Sequence, residues 1–339
     1  MGTGRLPFFL LLPLLVPGAV QGEVIQDFSQ CAWFFQGKVP PQGFDTQNRV
    51  KICQRYKNHY HFVTLYRTEL RNPIYSAYRY PCTMGVTKEK RPRPWFYEPQ
   101  IDDPHASSEM TSSNNTSSDH QAVDADYRGS GYDRGHLYPY SFNRNDSATA
   151  TCTLTNAVPQ EHKANVNWAK EAEDVVLELA KICHKSGRSA YVVTGSANST
   201  TIKVNNKVIV PGVAWTALCC TSSPSPNTDP CLNNRVWSEG QDVPRCDKGF
   251  SAAFKKRMLP EEPAVRLTVR ELQKELGVGK IFESCRGTSA DDEVETFKDV
   301  TLLISAVMSA ANGVDSVKRW SWEFAVMCCL LSEIGLKWV

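Results

Sequence analysis

Twelve cysteines in a chain of 339 residues, none earlier than Cys31, limit what this sequence can fold into more than any other feature. An even number of thiols suits a disulfide framework, and such a framework persists only in an oxidising compartment. The first 22 residues supply a route there: an Arg5 flank, an apolar run from Leu6 to Val16, and small residues Val20 and Gly22 where a signal peptidase cuts. A membrane-spanning helix needs about 20 consecutive apolar residues, and this run contains Pro13 and meets Pro17. The reading is a leader over 1–22, a mature chain from Glu23, and a secreted, extracellular protein without a membrane anchor. The adjacent pairs Cys219-Cys220 and Cys328-Cys329 do not have zinc-finger spacing. Their pairing is not legible. Acceptor tripeptides for N-linked sugar begin at Asn114, Asn115, Asn145 and Asn198, in keeping with export.

With 38 Lys and Arg against 36 Asp and Glu, the net charge is only +2. That excludes the strongly basic body of a tight, general nucleic-acid binder, so any phosphate affinity must be local. Lys88, Lys90, Arg91 and Arg93 form one candidate cluster, and Lys255-Lys256-Arg257 another. Such clusters are more often solvated surface than binding sites.

Aromatic and β-branched runs over Tyr60–Tyr66 and Ile74–Tyr80 flank Arg71-Asn72-Pro73, which predicts an antiparallel hairpin. Residues 101–125, dominated by Ser, Asp and Asn, read as a solvated loop. Apolar positions at Trp168, Ala172, Val175, Leu179 and Ile182 recur every three or four residues and stop before Gly187, which predicts an amphipathic helix. Strands are expected over Tyr191–Thr194, Lys207–Val210 and Val213–Cys219, with a turn at Asn205-Asn206, and a helix behind Thr268. Residues 221–246 read as irregular and disulfide-stapled. The expected class is α+β, with an antiparallel β-sheet core flanked by helices. The expected domain covers 23–288, followed by a helical tail over 289–339 whose apolar patches are each too short to span a bilayer.

The chemistry is concentrated in Gly131-Tyr132-Asp133-Arg134-Gly135-His136-Leu137. Phosphodiester hydrolysis needs a base for water, cationic stabilisation of the phosphoryl oxygens, and usually a divalent ion beside the leaving oxygen. An acid, a guanidinium and an imidazole stand here within four residues. Alone they carry little weight, because an isolated histidine is usually structural. A second segment changes that: Leu154-Thr155-Asn156-Ala157-Val158-Pro159-Gln160, followed by Asn165, Trp168 and Glu173.

Together the two segments, at this spacing, resemble the DNA/RNA non-specific endonuclease family over about residues 27–286. The resemblance implies a ββα-metal (His-Me finger) active-site unit with DNA and RNA as substrates. It implies His136 as general base, Arg134 on the phosphate, and Asn156 orienting the histidine or the backbone around it. Asn165, nine positions after Asn156, is implied as the direct Mg²⁺ ligand, with Mn²⁺ as an alternative ion, and Asp133 and Glu173 as holders of the metal's waters. Two departures stand out. Tyr138 occupies a position where the family has a small polar residue, which puts substrate preference in doubt. Asn165 and Trp168 are three apart where the family has a longer spacing, so Asn167 competes with Asn165 and Glu171 with Glu173. Helical geometry favours Glu173, since eight residues on from Asn165 is about 80° round the helix and six is about 120°. The alternative function is a secreted binding module that keeps the nuclease fold without useful turnover.

Overall fold

The computed structural model describes residues 23–44, 48–81, 90–114, 116–221 and 249–285. The expected leader, Lys88, Asn115, residues 222–246 of the irregular segment, and the tail over 289–339 lie outside the described residues. The strands are β1 (Val24–Ile25), β2 (Arg49–Tyr56), β3 (His59–Arg67), β4 (Asn72–Arg79), β5 (Phe96–Tyr97), β6 (Thr111–Ser112), β7 (Tyr132–His136), β8 (Ala157–Glu161), β9 (Ser189–Val204), β10 (Val208–Thr221), β11 (Phe250–Arg257) and β12 (Val265–Leu267). The helices are α1 (Asp124–Tyr127), α2 (Asn145–Ala150), α3 (His162–Trp168), α4 (Asp174–Lys185) and α5 (Val269–Leu276).

Eight strands form one sheet in the order β1-β2-β3-β4-β9-β10-β11-β12, and every pairing in it is antiparallel. Short-range turn chemistry explains much of this. Asn205 and Asn206 carry φ of 45° and 59° between β9 and β10, the left-handed pair that a two-residue hairpin turn needs and that Asn tolerates. The hairpin expected around Arg71-Asn72-Pro73 is β3–β4. The two strands expected over 207–219 are one, β10, with an irregularity in its pairing between Ile209 and Pro211.

The period of two in β10 organises the layers. Trp215, Ala217 and Cys219 belong to the core on one face of the sheet, and Ala214, Leu218 and Cys220 to the core on the other. The adjacent cysteines therefore point in opposite directions. Cys220 bonds Cys183 of α4, and Cys219 bonds Cys285 beyond α5, so one dipeptide staples a layer to each face. The predicted amphipathic helix is the run α3, a π-helical turn over Ala169–Glu173, and α4, and its Trp168, Ala172, Val175 and Leu179 are buried. On the opposite face, Phe28, Phe34 and Phe35 pack with Val269 and Leu272 of α5, while Cys31–Cys53 ties that N-terminal segment to β2. Thr268 caps α5 by accepting from the Glu271 amide at 3.1 Å while Glu271 returns a bond, the reciprocal arrangement that starts a helix.

Two sequence expectations need correction. Residues 101–125 are not simply a solvated loop: Gln121, Ala122 and Val123 are buried and lead directly into α1. The Lys255-Lys256-Arg257 run is committed to ion pairs with Glu275, Glu171 and Glu262 respectively. A third cluster, including Trp95, Tyr127, Tyr140, Cys152, Leu154, Ala157 and Val208, lies apart from the two sheet cores and underpins β7 and β8.

Candidate active site

β7 and β8 form a separate two-stranded ribbon in which Asp133 faces Gln160, Arg134 faces Pro159, and His136 faces Ala157. The next residue, His162, already begins α3, whose cap is the Glu161 carboxylate accepting from the Ala164 amide at 2.9 Å. Strand, strand and helix follow with no loop before the helix. That is the ββα unit expected from the sequence. Gly135 is required by contact: a Cβ there would lie 2.1 Å from Gln160 Oε1.

His136 ends β7 with its ring 4.7 Å from that of Trp95 and 6.5 Å from that of Tyr140. Its Nε2 lies 3.8 Å from the Sγ of Cys152, a buried free thiol. Burial, and then the positive charge of Arg91, lower the His136 pKa to about 3. The imidazole is therefore neutral through the physiological range and holds a lone pair, the state a base needs before it takes a proton. Arg91 stacks its guanidinium over Tyr140 at 4.9 Å. Burial pushes the Cys152 thiol up to about 11, so it remains a protonated neighbour.

A second group gathers around Asp133. Its Oδ2 accepts from Asn165 Nδ2 at 3.0 Å and from His162 Nδ1 at 2.9 Å. With the amide nitrogen so engaged, the Asn165 carbonyl oxygen faces away from the carboxylate. The donor set suits Mg²⁺, which prefers hard oxygen ligands and keeps most of its waters. A neutral amide oxygen with a carboxylate behind it is the kind of ligand this unit offers.

A π turn directly follows Trp168. The Asp174 amide donates to the Ala169 carbonyl, five residues back, which widens the helix by one residue. Glu173 closes this turn with the Trp168 side chain as its neighbour. Burial and the neighbouring Asp174 charge raise its pKa to about 8, with Trp168 and Arg91 pulling the other way. Glu171 and Asn167 are engaged elsewhere. Glu171 Oε2 accepts from the Ala264 amide at 2.7 Å, and Asn167 donates to the Pro260 carbonyl at 3.0 Å.

The remaining candidates have firm partners. Arg134 donates to Asp124 Oδ1 at 2.8 Å and to the Asp124 carbonyl at 3.1 Å, with its guanidinium between the rings of Trp95 and Tyr127. Asn156 is fully buried: its Oδ1 accepts from Ser76 and from the Tyr138 amide, and its Nδ2 donates to the carbonyls of Tyr138 and Thr151. Both of its amide atoms are thus turned to the backbone just beyond His136 and to the sheet. Tyr138 is a core residue, stacked on Tyr78 at 3.8 Å and donating to Asn143, so its ring does not line the site.

Sequence reasoning assigned no site role to Trp95, Cys152, His162 or Asp124. His162 lies two residues beyond the second segment and could have been suspected. The other three reach the site through tertiary packing. Arg91 was visible only as one member of a basic cluster.

The chain matches the family model described as DNA/RNA non-specific endonuclease over residues 39–241. It is similar to the Homo sapiens protein named endonuclease domain-containing 1 protein, with 31% identity over 332 residues, covering 95% of this chain and 61% of that protein. The Mus musculus protein of the same name is 37% identical over 220 residues, covering 61% and 42% respectively. A nuclease of Nostoc sp. is 34% identical over 100 residues, covering 29% of this chain and 35% of the relative. The chain thus spans 61% and 42% of the lengths of the two mammalian relatives. A chain in the crystal structure of the EndoG/EndoGI complex aligns with a TM-score of 0.44 and 16% identity, covering 69% of this chain and 89% of that one.

Proposed function

The chain belongs to the DNA/RNA non-specific endonuclease family, and on that premise we propose that it is a secreted, metal-dependent endonuclease that hydrolyses DNA and RNA with little sequence preference. The observation that carries this reading is the ββα unit itself, with a neutral His136 at the end of β7 and Asn165 held by Asp133 at the start of α3.

In the proposed reaction His136 takes a proton from the attacking water, its imidazole fixed by Trp95 and Tyr140. Asn165 would hold Mg²⁺, or Mn²⁺, through its carbonyl oxygen, with Asp133 fixing that amide and Glu173 as the carboxylate available to the ion's waters. When bound, the ion polarises the phosphoryl oxygen and stabilises charge on the leaving oxygen. Arg91 and Arg134 supply positive charge beside the phosphate. Arg91 is exposed and already acts on His136, and the Arg134–Asp124 pair makes Arg134 the more rigid of the two. Asn156 positions the backbone that follows His136. Chemistry confined to the phosphodiester backbone reads no base edges, hence the low sequence preference.

Export is supported by the leader pattern and by three disulfides among the described residues. The test is an in-gel digestion assay in which the purified protein meets DNA and RNA with and without chelator. Cleared zones that disappear with chelator are expected. An absence of clearing on both substrates with metal supplied favours a binding module on the nuclease fold.

A further inference from the structure

Glu23, the residue that would follow leader removal, is fully buried. Its amide donates to Gln100 Oε1 at 2.8 Å, its carbonyl accepts from the Cys53 amide at 2.8 Å, and its carboxyl Oε1 accepts from the Arg55 amide at 3.1 Å. Its neighbour is the carboxyl of Glu98, also fully buried, and burial together with that neighbour raises the Glu23 pKa well above the ordinary carboxyl value. Glu98 Oε1 accepts from the hydroxyls of Thr153 and Thr155 at 2.6 and 2.9 Å. The other oxygen of each carboxyl is buried without a partner. Two neighbouring carboxyls away from water resist ionisation, and whichever of them ionises becomes a buried negative charge. A buried charge without a partner costs several kcal/mol. Among the described residues no cation forms an ion pair with either carboxyl.

We propose that the α-ammonium of Glu23, released when the leader is cut between Gly22 and Glu23, is the counter-cation of the buried Glu23–Glu98 pair. The inference rests on the export reading above. Hydrolysis of that peptide bond gives the water's hydroxyl to the Gly22 carbonyl carbon and leaves a Glu23 amine, which protonates. A peptide nitrogen has one hydrogen, already given to Gln100. An ammonium has two more, and the free Oε2 atoms of Glu23 and Glu98 are the acceptors without partners in the same cluster. The mature N terminus is then part of the core. It is also tied to the active site, because Thr155, which Glu98 holds, directly precedes Asn156, and Asn156 fixes the backbone beyond His136. Gln54 Oε1, likewise buried without a partner, adds a third oxygen that a hard metal ion could use. The amine is favoured because its nitrogen belongs to the residue that carries one of the two carboxyls and is already held inside by Gln100.

The test compares two proteins released from a cleavable amino-terminal fusion, one beginning at Glu23 and one beginning with a single extra glycine, each with and without Glu98→Gln. Mass spectrometry of the exported protein establishes its natural N terminus. The expected results are a terminus at Glu23, a melting temperature at least about 5 °C lower for the extended protein, and collapse of that difference in Glu98→Gln. Equal melting temperatures overturn the proposal, as does a difference that Glu98→Gln leaves unchanged, because that would be steric. A natural terminus elsewhere overturns it together with the processing reading, whereas equal melting temperatures leave that reading intact. A calcium-dependent rise in melting temperature in an Asn165→Ala background that Glu98→Gln abolishes would assign the pair to a metal ion instead.

Discussion

Asn165 gives its side-chain amide to Asp133 Oδ2 at 3.0 Å, and this bond decides which atom of Asn165 is left for a metal. A neutral ligand oxygen aimed by a carboxylate behind it suits an ion that keeps its waters.

Asn165→Ala is therefore expected to remove nearly all cleavage and to weaken Mn²⁺ binding measured directly by calorimetry. Asp133→Asn removes the carboxylate that fixes the amide and is expected to lower metal affinity about 10- to 100-fold. Asn167→Ala, which loses only a bond to the Pro260 carbonyl, is expected to stay within a few-fold of wild type. Should Asn167→Ala be the inactive variant and Asn165→Ala a normal one, the ligand is misassigned.

Glu173 makes a prediction about pH. Its pKa is raised to about 8 in the folded protein, against an ordinary value of 4.5. The folded carboxyl keeps its proton while the unfolded one loses it, so the metal-free protein loses stability as pH climbs from 4.5 towards 8. Glu173→Gln removes that penalty, and the metal-free variant is expected to melt above wild type at pH 8 with little difference at pH 4. Metal binding requires the ionised form, so wild-type affinity for Mg²⁺ should rise with pH up to about 8 and flatten beyond, while Glu173→Gln shows a weaker rise. Melting curves in chelator and titrations across pH check both. Identical melting temperatures at pH 8 would mean that the carboxyl is already ionised.

Arg91 acts on His136 by charge, and Arg91→Ala should therefore raise the His136 pKa from about 3 towards its ordinary value. NMR titration of the imidazole in metal-free protein reads this directly. The same variant is expected to raise KM for DNA and to reduce the salt dependence of binding, as loss of one phosphate contact does. An unmoved His136 titration would remove Arg91 from the site.

Asn156 presents no free amide atom to a substrate. Asn156→Ala leaves the Tyr138 amide, the Thr151 carbonyl and the Ser76 hydroxyl without their buried partner, and is expected to cost about 2–4 kcal/mol of stability. Denaturant unfolding measures this. Activity lost with stability unchanged would make Asn156 a catalytic residue instead.

Where local signals suffice, the sequence was informative. The Asn205-Asn206 turn, the Thr268 cap and the spacing from Trp168 to Ile182 each specify structure within a few residues. The hairpin β3–β4 was legible for the same reason, whereas the ββα unit was legible only through the family resemblance carried by residues 131–137 and 154–160. What stayed hidden depends on partners far along the chain. That Asp124 holds Arg134 rigid could not be read from the sequence, because Asp124 comes from a segment that looks solvated. The π turn over Ala169–Glu173, which shifts Glu173 relative to a regular helix, was hidden because no residue pattern announces a hydrogen bond five residues back. Tyr138 suggested altered specificity, but stacking on Tyr78 places it in the core. The opposite directions of Cys219 and Cys220 follow from strand periodicity, yet their partners follow only from the layers on each face.

The most direct measurement is the rate of supercoiled plasmid nicking by purified wild-type and His136→Ala protein, each with Mg²⁺ and again after chelation, alongside their thermal unfolding. The account predicts nicking by wild type in Mg²⁺ alone, a loss of at least about 100-fold in His136→Ala, and closely similar melting temperatures. Nicking that survives chelation, or a His136→Ala protein that cleaves at the wild-type rate, would contradict it.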